Sequence, residues 1–239
     1  MNRAGNFSSS EIYKLMSNGR KSGEPGKPFY TYIQEKVYER KLGRPLAQIQ
    51  NSRITTWGSF VEKHVFDLLG FEYQLISKDR YQHPEFDSWN GMPDLVTRDR
   101  TVVGDIKAPW TLKSFCEMID LMTEGVEALK GGKPEYYWQL VSSAILTGID
   151  TAELIVYVPY LKELDTIKEL AENHSWDGSI SENAIQFINY ADNDELPYLL
   201  EEGVYQNLNA FRFQVPEADK AALTDRVRLA EGILNDKLK

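Results

Sequence analysis

Cysteine is almost missing from this chain. Cys116 stands alone among 239 residues, so no internal disulfide can form and no Cys-rich zinc or iron–sulfur site can be built. It is expected to be a small buried hydrophobe. Histidine is nearly as scarce: His64, His83 and His174 lie far apart with no metal-ligand spacing, as surface or packed histidines do. Long apolar runs are missing too. Stretches such as Ala152 to Val158 are too short to span a bilayer and are broken by polar residues. The opening MNRAGNFSSSEI lacks the apolar stretch of a signal peptide, so a cytoplasmic protein is expected. No G-x-x-x-x-G-K-(S/T) loop occurs, which argues against an ATP-driven motor. Repeats and low-complexity tracts are also missing.

What is present is an ordinary globular composition, with 42% hydrophobic and 26% charged residues and a mean hydropathy of -0.44. The net charge of -9 disfavours nucleic acid at first sight. Its distribution reopens the possibility. Residues 1–53 carry ten Lys/Arg against four Asp/Glu, residues 54–150 nine against fifteen, and residues 151–239 eight against seventeen. A basic N-terminal quarter on an acidic body can give one polyanion-facing surface, although uneven solvated charge explains it equally well.

Turn residues and periodicity divide the chain. A helix is expected over 9–16, started by a Ser8-x-x-Glu11 capping box, then a loop over 18–28 and a helix over 30–42. A further helix over 56–69 carries the apolar stripe Trp57, Phe60, Val61, Val65, Leu68 and Leu69 and stops at Gly70. Strands are expected over 71–76, 95–97, 101–106, 154–158 and 184–190, and helices over 134–146 and 217–238. This pattern predicts one α/β domain over residues 1–239, a short mixed β-sheet flanked by helices. Within it, 1–53 is a basic helical region, 54–160 the core and 161–239 a C-terminal extension ending in a helix.

The chemistry concentrates in GMPDLVTRDRTVVGDIKAPW, residues 91–110. Pro93-Asp94 followed by Asp105-Ile106-Lys107 fits the PD-(D/E)xK nuclease pattern. If Asp99-Arg100 is a two-residue turn, antiparallel pairing sets Asp94 opposite Asp105, with their Cβ atoms roughly 5 Å apart. Lys107 then shares the face of Asp105. Two such carboxylates repel unless a divalent cation lies between them, and hard oxygen donors suit Mg²⁺ or Mn²⁺ better than zinc. Charge alternation on a solvated edge strand gives the same letters, so the motif alone does not decide. Glu62 lies upstream between apolar neighbours, and periodicity leaves its orientation open. Tyr136, Tyr137 and Trp138 open the helix that carries Gln139 and read as core aromatics before base-stacking ones.

The order Trp57-Gly58…Glu62, Pro93-Asp94, Asp105-Ile106-Lys107 with Pro109, and Gln139 resembles the RecB-like branch of these nucleases. Specifically, it resembles the lambda-exonuclease-like, or YqaJ-type, phage recombination exonucleases. Arg3-Ala4-Gly5-Asn6-Phe7-Ser8-Ser9-Ser10 is similar to the family's R-x-G-x-x-(T/S)-x-S opening. The resemblance covers about residues 3–160; residues 161–210 match nothing in it. Asp105 replaces the glutamate of the lambda-type enzyme, and the loop over 19–28 carries no family motif.

The resemblance implies a restriction-endonuclease-like core and an Mg²⁺-dependent 5′→3′ exonuclease on double-stranded DNA ends, with Mn²⁺ as a substitute. The 3′ single strand left behind would serve an annealing protein in phage or prophage recombination inside a bacterial host. Glu62, Asp94, Asp105 and the Ile106 carbonyl would be the metal ligands. Lys107 would act on the attacking water, Gln139 would position it, and Arg3, Ser8 and Ser10 would hold the 5′-phosphate. A ring-shaped homotrimer is compatible with the family. A restriction- or repair-type endonuclease and a DNA-binding protein with a degenerate core are the alternatives.

Overall fold

The computed structural model describes residues 4–21, 23–46, 52–70, 73–75, 80–173 and 182–239. The chain opens with β1 (Phe7–Ser8), a 3₁₀ helix (Ser9–Met16), α1 (Lys27–Leu42) and α2 (Arg53–Leu68). Short strands follow: β2 (Tyr73–Leu75), β3 (Tyr81–Gln82), β4 (Trp89–Gly91), β5 (Leu95–Thr97) and β6 (Val102–Lys107). Three helices, α3 (Leu112–Glu124), α4 (Val126–Gly132) and α5 (Pro134–Thr147), lead to β7 (Thr151–Tyr157). The chain ends with α6 (Leu164–Glu172), α7 (Glu182–Tyr190), β8 (Leu208–Gln214) and α8 (Glu217–Asp236).

The main sheet has the order β2-β5-β6-β7-β8. β6 and β7 run parallel and the other neighbours antiparallel. A parallel pair needs a long crossover, which α3 to α5 provide. The central strand β7 is apolar on both faces, as a strand covered on two sides must be. Ala152, Leu154 and Val156 enter one core with residues of α1, α5 and α8, while Ile155 and Tyr157 enter a second with residues of α2, α6 and α7.

A smaller sheet, β1-β4-β3, lies beside the first core. It was not expected, because its strands are too short to show period-2 alternation in the sequence. Trp89 is wholly buried and its indole N–H donates to Ser142 Oγ at 2.9 Å, while Ser9 Oγ meets the same hydroxyl at 2.8 Å. Gly91 makes this junction possible, because a Cβ there would lie 1.9 Å from Ser9 Oγ. The network ties the N-terminal segment and α5 to β4, two residues before Pro93-Asp94.

Most expected helices form close to their predicted bounds. Pro134 begins α5, which ends before Gly148 at φ 70°, the left-handed stop glycine favours. Three expectations need correction. Residues 184–190 are not a strand but lie in α7, because Ile185 and Ile188, three apart, turn inward together onto the second core. The last strand is β8 instead, an edge strand paired with β7. The Ser8/Glu11 capping box does not form: Ser8 caps nothing, its N–H donates to Tyr32 Oη at 3.1 Å, and Glu11 pairs with Lys14 and Lys36. Cys116 is half-buried rather than buried. Of the strand expected over 71–76, residues 73–75 form β2; residues 71, 72 and 76, like Arg3 and His174, lie outside the described residues.

The last helix is locked by a polar contact under its first turn. Asp219 accepts from Lys130 Nζ at 2.7 and 2.9 Å and from Tyr137 Oη at 2.5 Å. Asp219→Ala leaves a phenol and an ammonium without their acceptor, so it should cost about 1.5–3 kcal/mol. The expected result is a lower urea midpoint at unchanged m-value. A midpoint equal to that of the wild type would contradict the lock.

Candidate active site

The register of the β5–β6 hairpin assembles the site. Leu95 pairs with Gly104 and Val96 with Val103, which extends to Asp94 opposite Asp105, as the spacing predicts. The turn itself differs from the expected two-residue form. Arg100 N–H donates to Thr97 O at 2.9 Å, Arg100 takes φ 58°, and Thr97 Oγ1 accepts from the Thr101 and Val102 amides. This wider turn keeps the same centre, so the register survives.

Asp94 lies just before β5, and its Oδ2 accepts from the Ile106 amide at 2.8 Å. Asp105 is 1% exposed. Its Oδ1 accepts from Gln139 Nε2 at 2.5 Å, and its Oδ2 lies 2.5 Å from Lys107 Nζ. Glu62 comes from α2, which packs on the opposite core, yet it shares a hydrogen bond with Asp94. Its half-buried side chain resolves the orientation that periodicity left open. Glu62, Asp94, Asp105, Lys107 and Gln139, spread over 78 positions of sequence, therefore converge. His64 and His83 do not join them; they pack on Tyr157 and Trp89.

Three carboxyls around one ammonium cannot all ionise at ordinary pH. Burial, then the charge of Glu62, pushes Asp94 up to about 7. Burial likewise raises Glu62. For Lys107, burial alone would lower its pKa, but the charges of Asp105 and Asp94 outweigh it and hold the amine protonated. Burial pulls Asp105 upward against Lys107, but with an ammonium and an amide both donating to it, the retained proton sits best on the Glu62–Asp94 pair.

The donor set fits a hard divalent ion: clustered carboxylates with no sulfur or imidazole among them. Asp105 Oδ2 is buried and meets the Lys107 ammonium, a positive charge in the place where a cation would bind. Among the described residues no three acidic, His or Cys side chains already form a metal cage, and Lys107 stands against the carboxylate instead.

Two clefts flank the cluster. One, of about 450 Å³, is lined by Glu62, Ile106, Lys107, Trp110 and Tyr136 among others. Trp110 was not expected at the site, because a lone tryptophan after proline carries no spacing signal. The other, of about 350 Å³, is lined by Ser8, Ser10, Lys36, Arg80, Asn90 and Gln139 among others. Asn90 is 1% exposed, and its Nδ2 has no hydrogen-bond partner among the described residues. Tyr137 and Trp138 are core residues, as the sequence predicts, whereas Tyr136 is half-buried at the cleft.

No family profile matches the chain, and no curated protein matches it in sequence. Solved exonuclease structures do match its fold. The alkaline exonuclease LHK-Exo of Laribacter hongkongensis aligns with TM-score 0.62 at 16% identity, over 99% of this chain and 91% of that one. Its complex with dAMP gives TM-score 0.62 at 17% identity over the same shares. A phage-related exonuclease of Haemophilus somnus 129PT gives 0.63 at 14% identity, over 97% and 94%. The chain thus has the α/β fold of these exonucleases, in line with the resemblance read from its motifs.

The proton on the cluster has a measurable consequence. Asp94 titrates near 3.8 when unfolded and near 7 when folded, so between these values the folded state binds more protons. Stability in chelator should therefore fall as pH rises through that window, by up to about 1.4 kcal/mol per unit for one carboxyl. Asp94→Asn should flatten the slope in urea titrations between about pH 5 and 8. Equal slopes in the two proteins would contradict the shared proton.

Proposed function

We propose that this protein is a Mg²⁺-dependent exodeoxyribonuclease that degrades double-stranded DNA from 5′ ends and leaves a 3′ single strand. The observation that carries this reading is the convergence of Asp94, Asp105, Lys107, Glu62 and Gln139 on one buried niche within an exonuclease fold. The basic N-terminal quarter and the bound dAMP in one structural neighbour support DNA as the substrate.

Asp94, Asp105, Glu62 and the Ile106 carbonyl would hold the cation, with Mn²⁺ as a substitute. When bound, such an ion lowers the pKa of a coordinated water and offsets phosphate charge. The Gln139 amide fixes one oxygen of Asp105 and so orients the carboxylate. Lys107, kept protonated by its acidic neighbours, offers positive charge where the attacked phosphate gains negative charge. Water adds to phosphorus, the bond to the 3′ oxygen breaks, and a 5′-mononucleotide leaves.

The neighbouring cleft suits the terminal 5′-phosphate. Ser8 and Ser10 line it, their hydroxyls 3.3 Å apart, and Asn90, whose Oδ1 accepts from Arg80, leaves its Nδ2 as a buried donor. Glu11 and Glu39 also border it, but Lys36 pairs with both, at 3.6 and 3.1 Å. Arg3, by family resemblance, would complete the anion contacts. A ring of three copies, an annealing partner and a phage-type recombination role belong to the same proposal.

Asp105→Ala and Lys107→Ala should each lower cleavage of linear duplex at least about 100-fold while the protein stays folded. Wild type should prefer 5′-phosphorylated over 5′-hydroxyl ends, and Ser10→Ala and Arg3→Ala should reduce that preference. Initial rates on duplexes differing only in that phosphate decide the matter. Fragments of fixed length from circular DNA would favour an endonuclease instead, and an active Asp105→Ala would remove the site assignment.

A further inference from the structure

Beside its apolar stripe of Phe29, Ile33 and Val37, helix α1 buries three polar-tipped side chains, Tyr32, Lys36 and Glu39. With Arg40 they stand at i, i+4, i+7 and i+8, on one face of the helix. Lys36 is 6% and Glu39 7% exposed, and they pair at 3.1 Å. Apolar groups in place of a buried ion pair are commonly neutral or stabilising, so packing does not account for this face. What the face holds is the backbone of the N-terminal segment. Glu39 Oε2 accepts from the Gly5 amide at 2.8 Å, and Arg40 Nε donates to the Gly5 carbonyl at 2.9 Å. Tyr32 Oη accepts from the Ser8 amide at 3.1 Å.

The grip closes tightly on Gly5. Its φ of 77° is left-handed, and a Cβ there would lie 2.2 Å from Arg40 Cγ. Chain ends fray unless they are tied down, and β1, two residues long, is too short to hold one alone. The segment held in this way brings Asn6, Ser8 and Ser10 to the cleft of about 350 Å³, which Lys36 and Glu39 also border. Glu39 meets the Gly5 amide, the Leu46 amide and Lys36, so its charge is offset by donors of the protein itself. A binding group has to be held to within about 0.5 Å of its working position, and here one helix face sets the backbone that carries the hydroxyls.

We propose that Tyr32, Glu39 and Arg40 are positioning residues for DNA-end recognition, which clamp the chain at Gly5 and Ser8 and so fix the cleft's hydroxyls. The clamp rests on the terminal-phosphate reading above and adds to it residues that act through the N-terminal backbone. Discrimination between phosphorylated and hydroxyl ends is thereby set from α1, a helix that carries none of the carboxyls of the catalytic cluster.

The test compares linear duplexes that differ only in a 5′-phosphate, by kcat/KM with Mg²⁺ and by Kd in chelator. The proteins are wild type, Arg40→Met, Arg40→Lys and Tyr32→Phe. Arg40→Met keeps the aliphatic stem and removes the donor, while Tyr32→Phe keeps the ring and removes the acceptor. Misplacing a positioned group by ~1 Å costs up to about 100-fold, so each should lower the preference for phosphorylated ends about 10-fold or to unity. Arg40→Lys, whose amine reaches toward the same carbonyl, should restore part of it. A clamp that serves stability alone changes both ends by the same factor. An unchanged ratio in Arg40→Met and Tyr32→Phe therefore overturns the clamp and leaves the phosphate reading intact. Should Arg40→Met fail to fold, the ratio in Tyr32→Phe decides. Equal kcat/KM and equal Kd on the two ends in wild type overturn the phosphate reading and the clamp with it. No cleavage by wild type overturns the nuclease reading, and the Kd ratio then decides the clamp.

Discussion

The rest of the site depends on placing three carboxyls and one ammonium together, with Asp105 buried and the other three half-buried beside it. Asp105 is 1% exposed, with Lys107 Nζ 2.5 Å away and the Gln139 amide on its other oxygen. Removing one partner from such a cluster leaves a buried charge uncompensated, and replacing it with apolar groups of similar size is commonly neutral or stabilising. Stability therefore gives no reason to keep the cluster. Its cost is tolerable because a proton and a lysine neutralise part of the charge, and under the proposed function a cation bringing two charges at once would take their place.

The surrounding fold keeps the niche in register. Asp94 and Asp105 face each other because β5 and β6 pair about a fixed centre, and the Thr97 hydroxyl gathers the amides that a looser turn would leave open. Asp94 is set from its other side by the small sheet, whose last residue, Gly91, must lie against Ser9. A buried hydroxyl, Ser142 on α5, joins Ser9 and Trp89 three positions after Gln139, so one helix steadies both Asp105 and the cleft lined by Ser8, Ser10 and Asn90. The core on the far side of the sheet contributes Glu62 through α2, so neither layer completes the site without the other.

Much of this was legible in the sequence, for a physical reason. Antiparallel pairing converts spacing into geometry, so Asp94 and Asp105, eleven apart about a turn, had to meet. Helices with clear stops, such as α5 between Pro134 and Gly148, were equally plain. Two-residue strands such as β1 and β3 carry no periodicity and escaped. Residues 184–190 read as a strand because seven residues hold both a period of two and a period of three, and only the buried partners of Ile185 and Ile188 choose. The Ser8/Glu11 box failed because Lys14 and Lys36, the latter from α1, attract Glu11 more strongly than the local amide does. Trp110 and Asn90 gain meaning from the clefts they line, and a cleft is a property of the fold.

The central claim is that the carboxyl cluster exchanges its proton for a divalent ion. Calorimetric titration of Mn²⁺ into the protein at about pH 7, in buffers of different ionisation enthalpy, measures that exchange directly. The account predicts binding accompanied by release of up to about one proton, with the release largely lost in Asp94→Asn because the proton resides on the Glu62–Asp94 pair. Binding whose heat is independent of the buffer, or that is equally strong in Asp94→Asn, would place the ion elsewhere and contradict the account.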